Sequence, residues 1–375
     1  MLRKVEDRVL YREEPFYAAF PSAVTLPDGS VLLVFRRAPD PRWLLGPDAP
    51  ENLRGWASHV HERSHHAQVR LDGQTLQPLA AAEALPMNPL AADQDPSLLL
   101  LSSGRLLLGS FAWYGFPPPF VAEVRRQVPE LHGGPENDGL YYAFYGGFVR
   151  ASDDAGRTWG EHRYLPPLPG AGPGPGHCPR HGGAVRGRAV ESAGEILLPV
   201  YASPRPGAPS AAYVYVSDDG GESWRLRACI AQDDRVHMHE PALHRCPSGK
   251  IVCFLRTANL EDHLVTAESH DNGHTWSPWQ QRPVIGHPYH PLPLPDGGVL
   301  LVYGYRHAPF GIRARVLDDE CTDFAGPEII LREDGLGGDL GYPWSTLLPD
   351  GRVLVTYYFY GGDGIRHIAG TVLAP

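Results

Sequence analysis

Lysine is nearly missing from this chain. Of its 33 basic residues only Lys4 and Lys250 are lysines, so 31 are arginines. Arginine forks suit carboxylate or phosphate where several converge on a pocket. Basic residues are themselves outnumbered by 43 acidic ones, giving a net charge of −10. No basic stripe is present that would release counterions from a nucleic acid, so no nucleic-acid partner is expected. Cysteine is scarce and odd in number: Cys178, Cys229, Cys246, Cys253 and Cys321, widely spaced, with no CxxC pair. That spacing fits neither a disulfide scaffold nor a zinc site and points to a reducing compartment. No run approaches the roughly 18 apolar residues of a membrane span. The first residues, MLRKVEDRVLYREEP, hold no apolar signal region, and the chain reads as cytoplasmic. Long amphipathic helical stretches are also missing, apart from a short one around 120–131.

Glycine and proline, by contrast, make up 81 of 375 residues, and they punctuate a repeat. An apolar run, a glycine turn and a second apolar run recur at 23–37, 97–111, 187–201, 242–256, 291–306 and 345–359. Each copy has the signature of a β-hairpin. The turn glycines Gly29, Gly104, Gly194, Gly249, Gly297 and Gly351 are 48 to 90 residues apart, enough for a four-stranded blade plus loops. Hairpins in series without intervening helices predict radial repetition, an all-β six-bladed β-propeller. Residues 1–375 are then one domain, with the terminal strands closing the ring.

A second motif keeps the same register. Ser152–Trp159 (SDDAGRTW) and Ser269–Trp276 (SHDNGHTW) fit SxDxGxTW, Ser217–Trp224 (SDDGGESW) fits with serine for threonine, and 317–324 (LDDECTDF) is a degenerate copy. In such a turn the aspartate accepts backbone N–H groups, glycine takes positive φ and the ring packs beneath. These segments closely resemble the Asp boxes (BNR repeats) of the sialidase, or neuraminidase, superfamily. The resemblance implies a six-bladed sialidase-like propeller whose boxes join outer strands far from the active site.

The resemblance also implies site residues. Tyr342, eight residues before Asp350 in the last blade, takes the place of the family's nucleophile. Glu240 in HMHEPALH is its base, and Arg256 in CFLRT, with Arg306 or Arg313, binds the substrate carboxylate. Asp40 after VFRRAPD occupies the place of the acid/base aspartate. One departure stands out. The first blade reads Ala19-Phe20-Pro21-Ser22, without the arginine the family carries there, and Arg36 and Arg37 are the nearest alternative charges. Asp95 in ADQDPSLLL opens an inner strand and also points centrally, while His239 and His181 are expected on the pocket wall. A sugar with a carboxylate on its anomeric carbon repels an anionic nucleophile, and a neutral tyrosine avoids that repulsion.

Histidines at 237, 239, 244 and 59–66 invite a metal reading, but no carboxylate completes a recognisable set, and neither metal nor cofactor is expected. Insertions at 38–63, 112–140 and 160–182, with WYGFPPPF at 113–120, are the expected determinants of substrate choice. The leading expectation is therefore a sialidase-like exo-glycosidase hydrolysing a terminal acidic sugar of the sialic or keto-acid type. Three alternatives stay open: two carboxylates acting on a neutral sugar, a tyrosine–histidine lyase acting on uronic acids, and a non-catalytic carbohydrate-binding propeller.

Overall fold

Each predicted hairpin forms the two inner strands of one four-stranded antiparallel blade, and six blades close a ring. A computed structural model gives the fold; it describes residues 2–46, 48, 50–54, 59–126, 128, 131–134, 139–168, 182–205 and 207–375. Blade 1 runs Phe16–Thr25, Val31–Pro39, His65–Leu71, Glu83–Ala84, from the axis outwards. Blade 2 has Ser97–Leu100, Leu106–Phe116, Tyr141–Ser152 and Arg163–Tyr164, with short strands Ala92–Asp93 and His132–Gly133 added. Blade 3 is Val190–Ser192, Glu195–Ala202, Ala211–Ser217 and Arg225–Ala231. Blade 4 is His237–Arg245, Ile251–Ala258, His263–Ser269 and Gln280–Ile285. Blade 5 is Tyr289–Pro293, Val299–Tyr305, Phe310–Leu317 and Ile329–Gly335. Blade 6 takes Gly341–Leu347, Val353–Phe359 and His367–Ala374 from the end of the chain, and Arg3–Tyr11 from its start supplies the outer strand.

The turn chemistry explains the regularity. In five blades the residue three before the turn glycine donates to the residue one after it, as Leu26 N to Ser30 O at 2.8 Å, and the glycine donates back, as Gly29 N to Leu26 O at 2.9 Å. Those glycines have φ between 84° and 96°, which a side chain would strain. Blade 3 uses a tighter turn, with Ser192 paired to Glu195 across Ala193 and Gly194.

The Asp boxes connect the third and fourth strands. Asp154, for example, accepts from Thr158 N at 2.8 Å and Thr158 Oγ1 at 2.6 Å, and Gly156 N donates to Ser152 Oγ at 2.9 Å. The box glycine also meets the preceding blade: a Cβ on Gly156, Gly221 or Gly273 would lie within 3.0 Å of Leu32, Leu107 or Leu197. The copy at 317–324 forms a related turn shifted by one residue. Asp318, not Asp319, accepts from Thr322 N and Oγ1, and Cys321 takes the left-handed φ of 54°.

Apolar side chains from neighbouring blades interlock into separate buried clusters between blades, such as Phe254, Leu264, Tyr289 and Leu301 between blades 4 and 5. Since strands alternate direction, strand 1 starts and the 2–3 connections share one end of the ring, while the hairpin turns and Asp boxes share the other. The expected helix near 120–131 is only Val121–Arg125, after a 3-10 turn at Pro118–Phe120.

Candidate active site

Three inner strands break register where they meet the axis. Phe20, Glu240 and Tyr342 have φ of 56°, 45° and 50°. Each falls inside a bulge, between Ala19 and Ser22, His239 and Ala242, and Gly341 and Trp344 respectively. Left-handed backbone at a non-glycine residue is costly and persists only where the surroundings enforce it, and a bulge re-aims a side chain. Each of the three precedes a proline, and so does Asp95. Blade 3 contributes Arg186, whose fully buried guanidinium donates to the carbonyls of Pro96 (2.8 Å), Tyr342 (3.2 Å) and Pro21 (3.4 Å). One side chain therefore pins the kinks of blades 1, 2 and 6 together.

Tyr342 and Glu240 meet at the centre. The Tyr342 hydroxyl donates to Glu240 Oε1, and Arg256 Nη1 reaches Glu240 Oε1 at 3.0 Å, Oε2 at 3.1 Å and Tyr342 Oη at 3.1 Å. Burial opposes the Glu240 carboxylate, but Arg256, the Tyr342 hydroxyl and His239 outweigh it and hold its pKa below the ordinary carboxylate value. Burial, then the Glu240 charge, pushes the Tyr342 hydroxyl well above its ordinary pKa. The arrangement keeps a neutral phenol against an ionised base, with a guanidinium touching both.

Arg306 and Arg313 lie in different surroundings. The Arg306 guanidinium lies 5.3 Å from the Tyr342 ring centroid, held by Leu340 O (3.1 Å) and Tyr358 Oη (3.2 Å). Arg313 sits on the third strand of blade 5, bonded to Arg332 O and Pro309 O and facing the Tyr305 ring. Asp95 joins the centre, with Arg186, Glu240, Arg36 and Arg256 as its charged neighbours; burial raises its pKa from 3.8 to about 7. Arg36 is wholly buried beside Tyr17 and Phe20. Four guanidiniums thus surround Glu240 and Asp95, and Asp339 adds a third carboxylate beside Arg36 and Arg306.

Of the remaining expected residues, Asp40 and Arg37 are engaged away from the centre and His239 lies on the cleft wall. Asp40 caps the 3-10 turn Pro41–Leu44, and both its oxygens are held by Arg42 (2.5–2.9 Å), so its carboxylate is committed to a buried ion pair. Arg37 turns towards His65 (3.1 Å), Tyr11 (3.2 Å) and the Phe16 ring. His239 lines the cleft, bonded to Ser210 Oγ at 3.2 Å, and burial lowers its pKa to about 4. His181 is outside the described residues. The Phe20 ring lies 4.7 Å from that of Tyr342 and edge-on to it.

Arg186 and Asp339 were not anticipated. Asp339 is half-buried and accepts from Tyr17, Tyr358, His59 and Arg366 at 2.7–3.0 Å. A cleft of about 790 Å³ opens beside Glu240, Arg256 and Tyr342, walled by Phe111, Phe144 and, from the insertion expected to shape substrate choice, Trp113. One sequence signal would have found the centre. Phe20, Asp95, Glu240 and Tyr342 each stand before a proline and nine residues before the turn glycine of their blade.

Residues 136–355 match the BNR repeat-like domain family. A crystal structure of a protein of unknown function from Dyadobacter fermentans is 38% identical, covering 99% of this chain and 98% of that one, with a TM-score of 0.87. A Hadza microbial sialidase shares the fold at 17% identity, covering 98% of this chain and 68% of its own, with a TM-score of 0.66. NanB sialidase from Streptococcus pneumoniae does so at 14% identity, covering 98% and 70%, with a TM-score of 0.64. No curated protein matches the chain. With its three Asp boxes, its six sialidase-like blades and a match over more than half its length, the chain belongs to the BNR repeat-like domain family.

Proposed function

We propose that this protein is a glycoside hydrolase that removes a terminal sugar carrying a carboxylate at its anomeric carbon, with Tyr342 as the nucleophile. The observation that carries this reading is the Tyr342 hydroxyl donating to Glu240 with Arg256 touching both. Tyr342 Oη attacks the anomeric carbon while Glu240 takes its proton. The bond to the leaving oxygen breaks, and that oxygen takes a proton from a carboxylic acid. Water then attacks the tyrosyl glycoside, giving one proton back to the acid's carboxylate, and Tyr342 recovers its own from Glu240.

The acid role goes to Asp95 rather than Asp40. Asp40 is enclosed by Arg42, whereas Asp95 stands in the central charge cluster with a pKa of about 7, suited to giving and retaking a proton near neutrality. Arg256 and Arg306 receive the carboxylate. The aromatic wall of Phe111, Trp113 and Phe144 offers apolar faces to the substrate.

The test is hydrolysis of aryl glycosides of sialic acid, its deaminated analogue, glucuronate and neutral pentoses and hexoses. Turnover of a keto-acid glycoside, falling by roughly 10³-fold in both Tyr342→Phe and Glu240→Gln, is the expected result. Turnover of a neutral sugar that survives Tyr342→Phe would instead assign the chemistry to Glu240 and Asp95 as a carboxylate pair.

A further inference from the structure

Far from the central pocket, blades 4 and 5 bring together a histidine and two cysteines that the sequence separates. His244 ends the inner strand of blade 4, Cys246 follows in its hairpin turn, and Cys321 lies in the box-like turn of blade 5. One donor atom from each lies within 4.8 Å of the others, and all three residues are buried, at 3%, 0% and 0% exposure. Glu240 lies in the bulge of the strand His237–Arg245 and His244 near its hairpin end, so this cluster belongs to the hairpin-turn end of the ring and has no part in the pocket chemistry.

Two features say that the cluster is more than core filling. First, both ring nitrogens of His244 are buried and, the Cys246 thiol apart, neither has a hydrogen-bond partner. Val252, Phe254 and Phe324 pack around the cluster while Lys250, Asp318 and Glu320 border its thiols, so an imidazole here forfeits most of the bonds it would make in water. Second, Cys321 occupies a position that the other boxes reserve for glycine. Gly156, Gly221 and Gly273 stand three residues before their tryptophan, at φ of 82–88°, against a leucine of the preceding blade. Cys321 stands three residues before Phe324 in a turn shifted by one residue, left-handed at φ 54° like Ala155 and Asn272 in the regular boxes, and its side chain points at the preceding blade's thiol and imidazole. Where the regular boxes put a glycine against the neighbouring blade, this one puts a thiol.

We propose that His244, Cys246 and Cys321 bind one thiophilic closed-shell metal ion, Zn(II) or Cu(I), which staples blade 4 to blade 5. Two thiolates and an imidazole are the donor set such ions select, and no hard oxygen donor competes among the three. Zinc–sulfur bonds of about 2.3 Å and zinc–nitrogen bonds of about 2.0 Å place donors roughly 3.5–3.8 Å apart. The present spacing reaches that with small side-chain rotations. The ion fills the lone pair that His244 otherwise leaves unused.

The test is elemental analysis of the full-length protein produced with added zinc, or with added copper under reducing conditions. About one equivalent of one of the two metals is expected, falling below roughly a tenth in Cys321→Ser and His244→Gln and unchanged in Cys229→Ala. Cobalt replacing zinc is expected to give the visible d–d absorption of a tetrahedral thiolate site, and closed-shell Cu(I) no d–d band. Mass spectrometry after alkylation of the native wild type keeps the result independent of whether the variants fold. Metal-loaded protein should protect Cys246 and Cys321, and a chelator should expose them. A folded wild type that holds less than a tenth of an equivalent of either metal overturns the proposal. So does one in which the two cysteines form a disulfide, 2 Da lighter.

Discussion

At the end of the ring that carries the hairpin turns, five blades repeat one hydrogen-bonded connection, and three Asp boxes repeat another. At the opposite end, the equivalent positions hold Phe20, Asp95, Arg186, Glu240 and Tyr342, no two alike. Both ends belong to the same strands. The difference lies in what each end must satisfy. A turn closes on its own backbone, so each blade solves it separately and reaches the same answer. The strand starts converge on one axis, where charge has to be balanced across blades, so each answer depends on the other five. Arg186 makes that dependence visible, because its three backbone acceptors come from three different blades.

Asp95→Asn breaks the comparison most severely. If Asp95 supplies the proton, the substitution lowers kcat/KM by about 10²–10⁴-fold at pH 6 and removes the decline of wild-type activity above pH 7. The folding prediction has a definite sign. The folded-state pKa of about 7 lies above the ordinary 3.8, so the folded protein holds this proton more tightly than the unfolded chain. The stability it contributes is complete below pH 4 and lost as pH rises to 7. Asp95→Asn should therefore melt several degrees above wild type at pH 8 and level with it at pH 4. A variant that keeps both activity and the alkaline decline removes Asp95 from the mechanism.

Arg306 and Arg313 sharpen the contrast within one blade. Arg306 borders Tyr342, while Arg313 is bonded to strand carbonyls. Arg306→Met should raise KM for an acidic substrate about 10²-fold, the loss of a charge-assisted contact, and leave neutral aryl glycosides unaffected. Arg313→Met should lower the melting temperature and leave KM within about twofold. The reverse pattern would move the anion site outwards along the blade.

What could be read in the sequence follows the same division. The six turn glycines and the Asp boxes are local signals, so blade number and register were legible from them. Tyr342, Glu240 and Arg256 were legible only through family resemblance, and the structure brings them together. Arg186 was not, because its acceptors lie 90 to 165 residues away, and Asp339 was not, because its donors are scattered from 19 to 322 residues away and no short motif marks such a set. Asp40 shows the converse problem. Its spacing after Arg36 and Arg37 is suggestive, yet Arg42 two residues later captures its carboxylate. The cysteines were uninformative for a topological reason, since Cys246 and Cys321 meet only when blades 4 and 5 stand side by side.

The smallest effect probes the one box that departs from its neighbours, and its dependence on metal carries the information. Gly273→Ala should cost about 1–3 kcal/mol, because alanine strains at φ 82° and its Cβ would lie 2.8 Å from Leu197. Cys321→Gly relieves the left-handed cysteine at φ 54° but empties a fully buried side-chain site and frees the unfolded chain, so without metal it should stay within about 1 kcal/mol of wild type. A bound metal makes the variant clearly the less stable of the two. An ion present at about a thousand times its dissociation constant stabilises the folded state by roughly 4 kcal/mol, which exceeds the strain relieved. Thermal melts of wild type and Cys321→Gly, with metal and then with chelator, separate the two cases. The variant should melt well below wild type when metal is present and close to it once metal is removed. If it melts close to wild type under both conditions, the fifth-blade turn is a strained Asp box and nothing more, and the two ends of the ring differ less than the cysteine suggests.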